Sequence, residues 1–302
     1  MDETWHTKRA VSGVRPGDHA LLPYGDLEER DRVMGTYVDD ALTGNEKVVY
    51  VTDAPADRLP GLRPRTRARL DRYTRSRQLV VLSRADACLD ARGRFAPGRL
   101  LDTLGREVGS TDAEGFRATR WTTDFSWMLD GRPLDVAAML GCEHRLGDTV
   151  GPSAVAMAIC QIDRRVCPPA QYAALRDTHE VLVEVDPRFD DGNLKIVQTF
   201  RPAGLRLEGE LDHARHHVFE DELARVARLP GAVHLDLARL AFLDLGSLHL
   251  MAGLAADRTA DAPLVLDDLP PGVLNIIEMV GWHRLPGLVQ GRTAGFPNGG
   301  TR

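Results

Sequence analysis

The sequence predicts two α/β units in series, the first a mainly parallel sheet with helices on both faces, the second smaller. Three observations carry this. Over residues 15–186, short apolar or β-branched runs alternate with amphipathic helical stretches, an order that demands right-handed crossovers and parallel strands. Asp186-Pro-Arg-Phe-Asp-Asp-Gly192 then interrupts the alternation with turn formers and charge, which marks 187–192 as a linker. From 193 to 290 a hairpin, a helix and further strand–helix pairs make a second unit, and 302 residues suit two domains of ~150 each.

In order, residues 1–14 are polar and irregular and read as a tail. Asp18 to Tyr24 is a short strand. Gly25-Asp26 opens a helix whose acidic first turn, Asp26, Glu28 and Glu29, suits the macrodipole. Leu27, Met34, Tyr37, Val38 and Ala41 form its buried stripe, and Thr43-Gly44-Asn45 closes it. Lys47 to Thr52 is apolar enough for a strand covered on both faces. Asp57 to Arg77 holds eight arginines among turn residues and reads as a solvated helix and loop, with an anion- or partner-docking surface as the second reading. Gln78–Leu82 is a buried strand, Pro97–Val108 a helix with proline at its start, Phe116–Trp121 a strand, Leu134–Leu146 a helix, Ala154–Cys160 a strand and Pro168–Leu175 a short helix.

The second unit opens with a hairpin, Leu194–Phe200 and Gly204–Gly209 about Arg-Pro-Ala. A helix after Asp212 buries Val218, Phe219, Leu223 and Val226. Val233, Leu235 and Leu237 alternate as a half-buried strand, Ala238-Arg239 makes a turn, and Leu240–Leu243 delivers the chain to Asp244. Asp244-Leu-Gly-Ser247 starts a helix, because Asp and Ser side chains accept the free amide hydrogens of a first turn. Leu248, Met251 and Leu254 follow at helical spacing. Pro263–Leu266 is the last strand, Gly272–Val280 the last helix, and 291–302 a disordered tail.

Composition narrows function. With 43% hydrophobic and 27% charged residues the chain is an ordinary globular protein with no apolar run of the ~20 residues a membrane span needs. Its start does not read as a signal peptide. A net charge of -6 argues against nucleic acid as a direct partner, since phosphate contacts need a basic face. Cys88, Cys142, Cys160 and Cys167 show no CxxC pair, so a reducing cytoplasm is expected. Lysine occurs only as Lys8, Lys47 and Lys195, none after a glycine, which removes a phosphate-binding P-loop; the arginine excess resembles high-GC bacterial codon usage.

Two resemblances follow from particular residues. Leu205-Arg-Leu-Glu-Gly-Glu-Leu-Asp212, an amphipathic helix, and Leu235-Asp-Leu…Phe242-Leu-Asp244 entering a helix make 204–288 resemble a STAS domain, the fold of bacterial anti-sigma-factor antagonists. In that family the element after the strand often reads Asp-Ser-Ser-Gly, and a kinase-like anti-sigma factor phosphorylates the second Ser. Laid without gaps, that position is Gly246, and Ser247 falls where the family has Gly. Ser247 is then either a shifted phosphoacceptor or a capping hydroxyl, and Asp244, Gly246, Ser247 and Leu248 are the expected partner-binding or phospho-switch region. Gly17-Asp-His19, Tyr24 before an acidic helix, Glu46-x-Val-x-Tyr-Val-Thr-Asp53, Phe125-Ser-Trp127 and Cys160-Gln-Ile-Asp-Arg-Arg165 make 17–185 resemble the MEDS sensory domain. That resemblance implies a RecA-like fold without its phosphate loop and small ligands such as simple hydrocarbon derivatives.

Ligands of open parallel sheets sit beyond the carboxyl ends of the strands. His19, Tyr24, Asp53, Trp127, Cys160, Asp163 and Arg164 all read as lying at or after strand ends, so they are expected at one rim as ligand-binding residues. His19 suits a structural hydrogen bond equally well, and Asp163-Arg164 a salt bridge that fixes the loop. Cys160 and His19 are two metal-ligand types without close spacing, and Cys142-Glu-His144 puts its outer side chains about 200° apart on a helix, so no metal and no cofactor are expected. His213, His216 and His217 read as an exposed helix terminus.

No Gly-x-Ser-x-Gly elbow, His-Glu-x-x-His motif or phosphate loop is present, so no enzyme is expected. The leading reading is a signal-transduction regulator: a small-molecule sensor joined to an antagonist domain that binds a kinase-like anti-sigma factor, without membrane contact and with self-association left open. The alternatives are a nucleotide or second-messenger receptor using the arginines from Arg58 to Arg77, and a degenerate RecA-like nucleotide hydrolase.

Overall fold

The computed structural model describes residues 7–62, 66–129 and 136–292. It divides at the expected linker into Met1–Asp186 and Pro187–Arg302. Parts of three expected segments (the tails, the 134–135 helix start and 63–65 among the arginines) lie outside the described residues.

The first unit is a seven-stranded sheet of β1 (Thr7–Ala10), β2 (His19–Tyr24), β3 (Lys47–Val51), β4 (Leu79–Leu82), β5 (Thr119–Asp124), β6 (Ala156–Asp163) and β7 (Val181–Glu184). The order is β1-β7-β2-β6-β5-β3-β4 and every pairing is parallel. Connecting helices are α1 (Leu27–Thr43), α2 (Arg67–Arg75), α3 (Arg84–Ala87), α4 (Pro97–Gly109), α5 (Val136–Val150) and α6 (Pro169–Arg176). Alternation along β3 shows both faces covered: Val49 and Val51 pack with α4, α5 and α6, whereas Val48 and Tyr50 pack with α1 and α2.

Several boundaries differ from the sequence reading. Thr7–Ala10 is an edge strand rather than tail, held by parallel pairing to β7, whose own four residues are too short a run to stand out. β5 and β6 each run three residues further than expected, to Asp124 and Asp163, so these carboxylates end strands rather than follow them. β4 is the other edge, and Val80 to Leu82 are only half-buried. Leu27 is 45% exposed: Asp26 caps the helix by accepting from Glu28 N, which leaves Leu27 turned outward at its first position. α2 buries only Leu70, in keeping with a solvated arginine-rich helix.

The second unit is a six-stranded mixed sheet of β8 (Phe189–Asp190), β9 (Leu194–Phe200), β10 (Ala203–Leu211), β11 (Val233–Leu243), β12 (Leu264–Asp267) and β13 (Leu288–Gln290), in the order β13-β12-β11-β10-β9-β8. The β8–β9–β10 pairings are antiparallel and the others parallel. Helices α7 (His216–Val226), α8 (Leu245–Ala256) and α9 (Pro271–Val280) share one core with the inward residues Leu205, Leu207, Leu235, Leu237 and Leu266. The expected turn at Ala238-Arg239 does not form. β11 continues unbroken, and register shifts in its pairing with β10, at Arg206/Glu208 and Gly209/Glu210, absorb the irregularity. Part of the expected linker is also strand, since Phe189 pairs with Ile196. No helix among the described residues is long and apolar enough to cross a membrane.

Candidate functional site

The carboxyl ends of β3, β5 and β6 open onto a pocket of about 350 Å3 lined by Thr52, Asp53, Arg84, Asp124, Ser126, Trp127, Asp163 and Val166. The crossover connections put the strand-following loops here, which is why residues so distant in sequence converge. Arg84 sits between an aromatic face and a carboxylate. Its guanidinium lies 5.0 Å from the Trp127 ring centroid and pairs with Asp53 Oδ2, while its backbone N–H donates to Asp53 Oδ1 at 2.9 Å. These hydrogen bonds outweigh partial burial and hold the Asp53 carboxyl below its ordinary range.

Asp124 organises the middle of the pocket. Its Oδ1 accepts from Ser126 N at 2.9 Å, and its Oδ2 accepts from the Tyr24 hydroxyl at 2.9 Å. Ser126 Oγ in turn accepts from Asp163 N at 2.8 Å. Burial first, then the negative charge of Asp124, raises Tyr24 to about 12, so its hydroxyl remains a donor at neutral pH. Asp163 pairs with Arg165 rather than with Arg164: Arg165 Nε and a terminal nitrogen reach its two oxygens at 2.9 and 2.6 Å, which lowers its carboxyl. Arg164 turns the other way, its guanidinium 5.2 Å from the Tyr172 ring, while its backbone N–H donates to Tyr24 O.

The seven residues expected at one rim therefore divide. Asp53, Trp127 and Asp163 line the pocket, Tyr24 supports it from behind through Asp124, and Arg164 braces the loop. His19 and Cys160 lie elsewhere. His19 begins β2 and pairs in register with Ala158, at the opposite end of that strand from Tyr24, and Cys160 is internal to β6.

Those two residues meet each other, with two that sequence reasoning missed. His19 Nε2 is 3.4 Å from Cys160 Sγ and 3.0 Å from Glu143 Oε2, and His179 Nε2 is 3.2 Å from the same oxygen. All four residues are buried, and their ligand-type atoms lie within 4.8 Å of one another. Burial, then His179, lowers His19, and burial, then Glu143, raises the Cys160 thiol well above its usual range. Glu143 goes the other way: burial opposes ionisation, but the hydrogen bonds to both histidines outweigh it and keep the carboxyl low. Glu143 was visible in principle. Met139, Cys142, Leu146 and Val150 mark the buried face of α5, and Glu143, four residues after Met139, falls on that face. His179 sits in the polar run Arg-Asp-Thr-His-Glu and carries no such sign.

In the second unit, Asp244 caps α8 and accepts from Ser247 N at 2.7 Å. Ser247 is fully buried, and its hydroxyl donates to the same Asp244 oxygen at 2.7 Å, so it is held inside the first turn rather than capping it. His216 Nε2 lies 2.9 and 3.0 Å from the two Asp244 oxygens, and its ring covers Gly246: a Cβ there would stand 2.3 Å from His216 Cε1. The expected region thus presents little of itself, since Leu248 is also buried. The exposed apolar side chains at this corner are Phe242 and Leu245, at 50% and 61%.

Compared with known families, residues 18–180 match the profile of MEDS, the MEthanogen/methylotroph, DcmR Sensory domain, and residues 194–290 match a Mlab, STAS domain profile. The comparison with curated proteins gives no match. Among solved structures the chain is similar to the KaiC-like protein PH0186 from Pyrococcus horikoshii OT3, at 13% identity over 62% of this chain and 80% of that one, with a TM-score of 0.38. It is also similar to the flagellar accessory protein FlaH from Methanocaldococcus jannaschii, at 10% identity over 65% and 87% of the two chains, with a TM-score of 0.38.

Proposed function

Because this chain belongs to the MEDS family and carries a STAS domain after its sensory domain, we propose that it is a cytoplasmic ligand-responsive regulator acting through protein–protein binding. The first unit receives a small molecule, and the second docks a kinase-like anti-sigma factor. No bond is made or broken. Ligand binding shifts the populations of docking-competent states, by as much as its affinity differs between them.

The observation that carries this reading is the pocket beyond β3, β5 and β6. Its volume of about 350 Å3 suits a small metabolite, and of its three carboxylates Asp53 pairs with Arg84 and Asp163 with Arg165, which leaves Asp124 as the carboxylate in excess. That balance favours a neutral or cationic ligand rich in hydrogen-bond donors, a simple amine or alcohol, with Trp127 supplying the apolar wall. It disfavours phosphate, and so disfavours a nucleotide. On the output side, the absence of a hydroxyl at Gly246 and the burial of Ser247 support a switch set by ligand rather than by phosphorylation.

Calorimetry of the full chain against small amines, alcohols and nucleotides tests this directly. Binding of an amine or alcohol that Asp124→Asn weakens at least about tenfold is expected from loss of one charge-assisted contact. Nucleotide binding with no response to any amine or alcohol would contradict it.

A further inference from the structure

We propose that His19, Glu143, Cys160 and His179 form a four-coordinate site for one divalent transition-metal ion of the zinc class. The four come from different elements of the first unit: the start of β2, the buried face of α5, the interior of β6 and the segment between α6 and β7. Tetrahedral zinc with nitrogen, oxygen and sulfur ligands places those atoms about 3.3–3.6 Å apart. Here the recorded separations of 3.0, 3.2 and 3.4 Å, with a maximum of 4.8 Å, bracket that spacing. Two imidazoles, a carboxylate and a thiol are a borderline-soft set, which suits zinc over magnesium or calcium.

Proton placement supplies an independent argument. His179 Nδ1 lies 2.9 Å from Leu175 O, and a carbonyl oxygen only accepts, so Nδ1 carries the hydrogen. That leaves Nε2, buried and 3.2 Å from Glu143 Oε2, as the ring atom placed to hold an ion. Glu143 Oε1, also buried, has no hydrogen-bond partner among the described residues. A cation held by this cluster brings the Glu143 carboxylate a partner beyond the two imidazoles. The Leu175 carbonyl then plays the orienting part that partners of metal-bound histidines commonly play.

Binding releases the Cys160 thiol proton to solvent and leaves any His19 proton on Nδ1. The ion then meets two neutral imidazoles, one carboxylate and one thiolate, a neutral buried assembly. Four protein ligands leave no open position, so the ion has a structural role and not a catalytic one. It clamps β2 and β6 three to five residues upstream of Tyr24 and Asp163, the ends of those strands at the ligand pocket. The site stands whether or not that pocket takes the ligand class proposed above.

The test is Co2+ titration of the chelator-stripped full chain, followed by absorbance. Saturation at about one ion per chain is expected, with intense tetrahedral d–d bands and a near-ultraviolet thiolate-to-cobalt charge-transfer band. Cys160→Ser loses the charge-transfer band, and Glu143→Gln binds at least about tenfold more weakly. His144→Gln, exposed on the same helix, retains both signals. No cobalt spectrum in the folded wild-type chain would overturn the proposal, as a buried His–Glu ion pair would give. So would a charge-transfer band that survives Cys160→Ser or disappears in His144→Gln.

Discussion

Asp244 serves three partners at once: the Ser247 amide, the Ser247 hydroxyl and the His216 ring. Burial works against its ionisation, but these hydrogen bonds outweigh it and hold the carboxyl below its ordinary range. A depressed carboxylate contributes stability that is present above the unfolded value of 3.8 and is lost as pH falls through the lower folded value. Asp244→Ala is therefore expected to lower stability by about 1–2 kcal/mol at neutral pH, and the gap to wild type should narrow on acidification; denaturant melts at several pH values measure it. A gap that widens in acid would show that the cap is not the source. Gly246 has the opposite logic. Its missing side chain is what lets the His216 ring reach Asp244, so Gly246→Ser should destabilise by about 1–3 kcal/mol through overpacking. Adding His216→Ala removes the obstructing ring, and the double variant should melt above Gly246→Ser alone; two independent, additive losses would rule the clash out.

At the scale of elements, strands and helices with a strong period were legible and those stabilised by a neighbour were not. β3 and β6 are buried throughout and carry apolar runs, Val48–Val51 and Ala156–Cys160, because both faces are covered, and α1 and α4 carry clear stripes. β1 and β13 are short, partly exposed runs that exist because β7 and β12 offer parallel partners, a property of the sheet and not of the local residues. β11 looked like two strands because Ala238-Arg239 breaks the alternation, yet register shifts against β10 keep it continuous. The same strand ends at Leu243 and leads through Asp244 to Leu245, and the exposed apolar side chains of Phe242 and Leu245 flank the capped corner. Leu245→Glu should abolish anti-sigma-factor binding while leaving the melting temperature within a degree or two, because little burial is lost. Retained affinity would move the docking face elsewhere.

Across the whole molecule, long-range convergence decided what the sequence could disclose. The pocket residues follow strand ends in a parallel sheet, so Asp53, Trp127 and Asp163 were readable from position alone. The His19–Glu143 and His19–Cys160 contacts span 124 and 141 residues, and nothing local in the chain announces them. What was read as one rim is thus two places: an open, acid-lined pocket at the strand ends and a closed cluster in the interior. The regulator reading needs the pocket to influence docking by the STAS unit. The most direct measurement is the dissociation constant of the full chain for the kinase-like anti-sigma factor proposed as its partner, with and without the amine or alcohol that binds by calorimetry. The same titration is repeated on Trp127→Ala. The account predicts a shift of about tenfold or more in the wild-type chain, of the size usual for coupled sites, and none in the variant. An unchanged dissociation constant at saturating ligand would contradict it.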